Sequence, residues 1–312
     1  MSLTALLDIE LTVPDPEALS RFWVDLGLVA TSDATLGTAD RPSQLRLRDG
    51  GYRHVSEVRL ACSDESDLVT IKENLAAPGV SSVLSDGVLR CEDPLADHVI
   101  GIEVGDQAPV TPSPARPFNR PGVLERVDGR SPAAAGELRS TPRRMGHVVF
   151  GTTDVAASTR FYRDGIGFTV SDVLGDGFGA FLRCTTDHHN LFLMPAPVPC
   201  MNHYAFEMDD VDAIGLAGTK VVSEWPEASI YGVGRHVIGA NRFWYLLDPA
   251  GGMFELYSDM DQITDDAAWE AQQLRDDWSP VIAAWESAPP KPDFFLPADI
   301  EQIAAGREAT GR

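Results

Sequence analysis

The chain has 312 residues, of which 44% are hydrophobic and 23% charged. That length is about twice a usual single domain and can bury a sizeable core, so two domains are expected. Its 25 basic and 47 acidic residues leave a net charge of −22, which phosphate backbones and anionic membrane surfaces repel; this argues against nucleic-acid or membrane binding. No apolar run approaches the roughly 20 residues that span a bilayer. Met1-Ser2-Leu3-Thr4 lacks the basic and apolar regions of a signal peptide. Cys62, Cys91, Cys184 and Cys200 show no CxxC spacing, which speaks against a disulfide framework and a thiolate zinc site. A soluble cytoplasmic protein is expected.

In chain order, residues 1–106 read as a first domain. An apolar run leads to the turn Val13-Pro14-Asp15, then to a helical segment containing Phe22-Trp23, and Cys91-Glu92-Asp93-Pro94 marks a turn before the final strand. Residues 107–143 are rich in proline (Pro109, Pro112, Pro114, Pro117, Pro121, Pro132) and read as an extended linker. Residues 144–261 form a second domain. Strands are expected at Gly146–Gly151, Ala180–Arg183, Leu191–Met194, His203–Met208, Phe243–Leu247 and Met253–Tyr257, with helices near Val155–Asp164 and Val211–Ala217. Residues 262–312 are a tail containing Trp269, Trp278, Trp285, Phe294 and Phe295, with helical spacing over Asp265–Asp276. That tail is either a packing strap or a flap over a site.

The two domains repeat one another. The segment around Arg21-Phe22-Trp23 matches Arg160-Phe161-Tyr162 at an offset of 139 positions, and both domains carry an Asp-Pro turn before their last strand (Asp93-Pro94, Asp248-Pro249). The predicted class is α+β: two domains, each of two βαβββ modules forming a curved, partly open mixed sheet barrel.

Histidine carries the chemistry. Of seven histidines, five lie between His147 and His236. His147, His203 and Glu255 each interrupt an apolar strand candidate. One such residue is most often a satisfied core or rim group; three on repeating strands suggest a facial triad of two imidazoles and a carboxylate, the ligand set of non-haem Fe(II) oxygenases. The corresponding positions of the first domain are read as Asp8, Glu57 and Ile100, a set that is not this triad. The metal site is therefore expected in the C-terminal domain only. His189 opens another strand, His236 follows Gly234-Arg235 in a glycine-rich loop, and Tyr245 precedes the Asp248-Pro249 turn. Imidazoles move protons near neutrality and a buried phenol can hydrogen-bond an oxyanion.

The run Gly234-Arg235-His236, Tyr245, Asp248-Pro249, Gly251 and Glu255-Leu256-Tyr257 resembles the signature of type I extradiol ring-cleavage dioxygenases of the vicinal oxygen chelate superfamily. The two-domain plan is similar over residues 1–260, and the specific motifs lie in the second domain. Trp244 departs from the pattern, which has an aliphatic residue or Phe before the tyrosine. The resemblance implies that His147, His203 and Glu255 bind the metal, that His189 is the acid/base, and that His236 and Tyr245 contact the oxygens of a catechol. The activity it implies inserts both atoms of O2 into a catecholic substrate and opens the ring beside the diol, in aromatic-compound catabolism. Fe(II) is the expected cofactor, and the ligands admit Mn(II) as well. Two other readings stand beside it: another metalloenzyme of the superfamily, such as a glyoxalase-like isomerase or a resistance transferase, and a non-enzymatic aromatic-ligand-binding protein. Phe181, Phe192, Phe206 and Trp244 are expected to line an apolar pocket, with Arg235 and Arg242 as candidate carboxylate partners. Sheet-rich domains and tail aromatics predict a homo-oligomer.

Overall fold

The computed structural model describes residues 3–32, 34–96, 98–114, 116–133, 136, 138–272 and 282–311. The first half opens with β1 (Leu3–Val13), α1 (Pro16–Asp25), β2 (Val29–Ser32), β3 (Thr35–Gly37) and β4 (Leu45–Asp49). A second module follows: β5 (His54–Cys62), α2 (Glu65–Ala76), β6 (Ser82–Ser85), β7 (Val88–Glu92) and β8 (Val99–Val104). The second half repeats this with β9 (Arg144–Thr152), α3 (Val155–Arg160), β10 (Thr169–Leu174), β11 (Gly179–Arg183) and β12 (Leu191–Pro195). It continues with β13 (Cys200–Glu207), α4 (Val211–Glu224), β14 (Ser229–His236), β15 (Arg242–Leu247) and β16 (Met253–Ser258). Beyond lie α5 (Asp266–Glu270), β17 (Ala283–Glu286) and α6 (Ile300–Thr310).

The strands form two mixed sheets, in the orders β2-β3-β4-β1-β5-β8-β7-β6 and β10-β11-β12-β9-β13-β16-β15-β14-β17. Each sheet joins two βαβββ modules through a central antiparallel pair, β1 with β5 and β9 with β13. Both remain open sheets. Asp15, Asp64, Asp154 and Asp210 cap the four module helices, each accepting from a backbone N–H in the first turn, which satisfies donors that would otherwise be orphaned. The Asp-containing turns therefore sit where strand hands over to helix. The helix expected near Val155–Asp164 is α3 continued by a π-helical turn, Phe161–Ile166. The tail helix read over Asp265–Asp276 is observed as α5; residues 273–276 and Trp278 lie outside the described residues. No described helix is long and apolar enough to cross a membrane.

The helices fill the space behind the sheets, and one apolar cluster draws on both halves. Trp23 of α1, fully buried, packs against Phe206 and Phe254 of the second sheet at ring separations of 4.7 and 4.9 Å, and its Nε1–H donates to Tyr204 Oη at 2.9 Å. Behind β15, the Trp244 ring fits against Gly218 of α4, where an added Cβ would lie 2.2 Å from the ring. Helix-interior Gly→Ala normally stabilises by roughly 0.5–1 kcal/mol. Here the sign reverses: Gly218→Ala is expected to destabilise by about 1–3 kcal/mol through overpacking, read as a lower midpoint in urea unfolding.

Candidate metal centre

Three adjacent strands build the site. His147 on β9 and Glu255 on β16 both stand opposite Ala205 of β13, and His203 lies two residues from Ala205. Strand side chains alternate between faces, so the three project from one side of the sheet. Their donor atoms all lie within 4.8 Å of one another, and all three residues are buried. Glu255 Oε2 is 2.8 Å from His147 Nε2 and 3.6 Å from His203 Nε2.

The electrostatics suit a cation. Burial alone would push Glu255 up, yet the adjacent His147 and His203 outweigh it and hold this carboxyl well below the usual carboxylate range. Burial, against the pull of Glu255, lowers His203 to about 4, so its imidazole is neutral at pH 7. His203 Nδ1 lies 2.7 Å from Asn202 Oδ1, a pairing that needs the proton on Nδ1 and leaves Nε2 a bare lone pair. That Nε2 is buried without a hydrogen-bond partner. An orphaned buried acceptor is costly unless something else satisfies it, and a divalent ion would. Orientation of a ligating imidazole through its second nitrogen is the usual support for such a site. Asn241 Nδ2 donates to Glu255 Oε1 at 2.8 Å and fixes the carboxylate from behind. The chain thus presents a metal-binding triad.

Around the triad, His189 is buried with its ring 4.4 Å from that of His147. Burial first, then the neighbouring imidazoles, keeps it well below the usual histidine range and hence neutral. His236 Nε2 lies 2.8 Å from Tyr245 Oη. Burial lowers His236, while burial and Glu255 push Tyr245 well above the ordinary phenol value, so the phenol keeps its proton. The triad, His189, His236 and Tyr245 line one cavity of about 110 Å³. Apart from Asn202 and Asn241, its remaining wall is apolar and includes Phe181 and Phe192 of β11 and β12 together with Phe294 and Phe295 of the tail.

Several expectations need correction, and most fail for one reason. Neighbouring residues on a strand face opposite ways, so Trp244 cannot share the cavity with Tyr245. Its ring lies against α4 and its Nε1–H donates to Ser229 Oγ at 2.9 Å. Phe206 likewise belongs to the core around Trp23. Arg235 and Arg242 stand outside the cavity lining, both paired with Asp259, at 2.9 and 3.1 Å. His236 ends strand β14 rather than lying in a loop. In the first half, Asp8 and Gly101 both oppose Arg59, so Gly101, not Ile100, corresponds to Glu255. There the carboxylates are met by guanidinium groups: Arg46 bonds Asp8, Glu10 and Glu57 at 2.8–3.0 Å, and Arg59 reaches Asp8 at 3.2 Å.

Asn202 and Asn241 went unread in the sequence. The polar character of Asn202 gives no local signal; a β-bulge between Met201 and His203 re-aims it toward the site, as bulges do. Asn241 lies just before β15, and only the fold brings it behind Glu255.

Residues 144–256 match the model of the Glyoxalase/Bleomycin resistance protein/Dioxygenase superfamily. The chain is 28% identical over 262 residues to the iron-dependent extradiol dioxygenase of Rhodococcus jostii, covering 79% of this chain and 82% of that protein. It is 30% identical over 297 residues to metapyrocatechase 2 of Cupriavidus necator, covering 92% of this chain and 89% of the relative. The protein belongs to the extradiol dioxygenases of the vicinal oxygen chelate superfamily. This extradiol dioxygenase also shares its fold with the Mn(II)-bound glyoxalase from Novosphingobium aromaticivorans, at a TM-score of 0.68 and 23% identity, over 96% of this chain and 99% of that one.

Proposed function

We propose that this extradiol dioxygenase uses Fe(II) held by His147, His203 and Glu255 to insert both atoms of O2 into a catechol bearing an uncharged, apolar substituent, opening the ring beside the diol. The observation that carries the reading is the convergence of that triad, His189, His236 and Tyr245 on one apolar cavity. When bound, the divalent ion supplies the charge that acidifies the diol and the redox couple that activates dioxygen.

The protein's own groups do the rest. Neutral His189 can take a proton from the substrate and later return one, since burial keeps it an acceptor at pH 7. His236 Nδ1 donates to Ile282 O at 3.2 Å, so its Nε2 accepts the Tyr245 O–H at 2.8 Å; Tyr245 keeps that proton and can turn it to a catecholate oxygen once substrate is bound. Phe181 and Phe192 stack at 4.2 Å and form a flat apolar wall suited to an aromatic ring.

Substrate preference follows from the lining. Leu174, Phe178, Phe181, Phe192, Ile282 and Phe295 line the cavity, and among the described residues no lysine or arginine lines it. Burying a carboxylate there without a partner would cost several kcal/mol. Phenyl- or alkyl-substituted catechols are therefore expected to exceed carboxylated catechols in kcat/KM by about 10²-fold or more. O2 uptake and the yellow ring-opened product, measured over a catechol panel with Fe(II), test both parts. Absence of O2 uptake with every catechol would overturn the activity, and equal rates with carboxylated substrates would overturn the preference.

The reading takes residues 1–106 and 144–261 as two domains joined by 107–143, and the tail 262–312 as a flap. Supporting the flap, Ile282, Phe294 and Phe295 wall the cavity, Phe294 O accepts from Asn202 Nδ2 at 3.1 Å, and buried Arg53 pairs with Asp299 at 2.7 Å. Exposed Trp285 on the outermost strand β17 favours a homo-oligomer. All four cysteines are free, which favours the cytoplasm.

A further inference from the structure

His189 is joined to a carboxylate through a second histidine. Its Nδ1 lies 3.1 Å from Nδ1 of His188, and His188 Nε2 lies 2.7 Å from Oδ2 of Asp172 on β10. The His188 side chain is completely buried, whereas that of Asp172 is 25% exposed and faces a groove shared with Trp269 and Asp261. The line therefore runs from the protein surface to the cavity, behind the catalytic face.

The rings are held in place from several sides. Phe181 lies 5.4 Å from His188 and 5.1 Å from His189, and Trp269 of α5 flanks His188 at 5.4 Å. The His188 backbone N–H donates to Asp261 O at 2.8 Å. Gly239 (φ +74°) covers the other side, where a Cβ would come 3.1 Å from His188 Nδ1. A larger residue would press on the nitrogen that meets His189.

Hydrogen-bond direction then propagates along the line. An ionised carboxylate only accepts, so His188 carries its proton on Nε2 and presents a lone pair at Nδ1. That lone pair needs a donor, and the facing group is His189 Nδ1. His189 is thereby set as the Nδ1–H tautomer, with Nε2 left to accept.

We propose that Asp172 and His188 are positioning residues that fix the tautomer and ring orientation of His189 for its acid/base role. This rests on the function proposed above. The logic matches that of a buried aspartate orienting a catalytic histidine, where exchange for asparagine keeps the shape but supports the wrong tautomer. In Asp172→Asn the amide can donate to His188 Nε2. His188 Nδ1 would then become a donor and drive the His189 proton to Nε2.

The test compares the full-length wild type, Asp172→Asn and Asp172→Glu. Nitrogen-15 shifts of the His189 ring in Zn(II)-loaded protein are expected to show Nδ1–H in the wild type and Asp172→Glu, and Nε2–H in Asp172→Asn. With Fe(II), Asp172→Asn is expected to lose about 10-fold or more in kcat, with KM for the catechol within about twofold and with recovery in Asp172→Glu. An unchanged tautomer in Asp172→Asn, or an unchanged kcat, overturns the proposal. Wild type that holds iron but cleaves no catechol would overturn the proposed function instead, while the ring shifts still decide whether Asp172 sets the tautomer.

Discussion

Replacing His203 by alanine is expected to strip the protein of its metal, and His147→Ala should do the same. His203 offers a neutral imidazole whose Nε2 is buried without a partner and whose Nδ1 is turned toward Asn202. Alanine removes one of three protein donors and leaves Glu255, a fully buried carboxylate, with less compensation. Outer partners of ligating histidines already cost about 10–100-fold in affinity when removed, so loss of a ligand should cost at least about 10²-fold. Metal content after dialysis, measured by elemental analysis, reads this directly. Near-stoichiometric iron in either variant would show that the triad is not the binding site.

His189→Asn should separate catalysis from binding. His189 meets the triad in a ring contact with His147 and lines the cavity without belonging to the ligand group. Iron content and anaerobic catechol affinity are therefore expected to stay near wild type. Turnover should fall by about 10²-fold or more, the scale of a lost acid/base group, measured as steady-state O2 uptake at saturating catechol. A kcat equal to wild type would exclude His189 from proton transfer.

The duplication and the triad were both legible because each leaves a periodic trace. Asp15 and Asp154 cap equivalent helices after equivalent strands, and the capping role favours a short polar side chain at that place. His147, His203 and Glu255 stood out as polar residues inside apolar strands, where an unpaired polar side chain is costly enough to need a reason. The pocket lining was less legible. Trp244 and Arg235 share the composition of cavity residues and differ from Tyr245 and His236 only by one step along a strand. That step decides the face, and hydrophobicity says nothing about it where both faces are buried. Strands β10, β14 and β17, the last two flanking or carrying site residues, also escaped the reading: β14 is broken by glycines and register shifts, and β17 is short.

The module helices, most strands of the second half, the repeated modules and the identity of the metal-binding side chains were written in local patterns, because capping, alternation and the cost of burying polar groups act over a few residues. Which side of each strand meets the cavity, the approach of Asn241 to Glu255, the seating of Phe294 and Phe295 over the site and the Asp172–His188–His189 line all depend on register and on packing between segments distant in the chain. Those are set by the sum of many weak contacts rather than by any short stretch of residues, and they appeared only once the sheets were assembled.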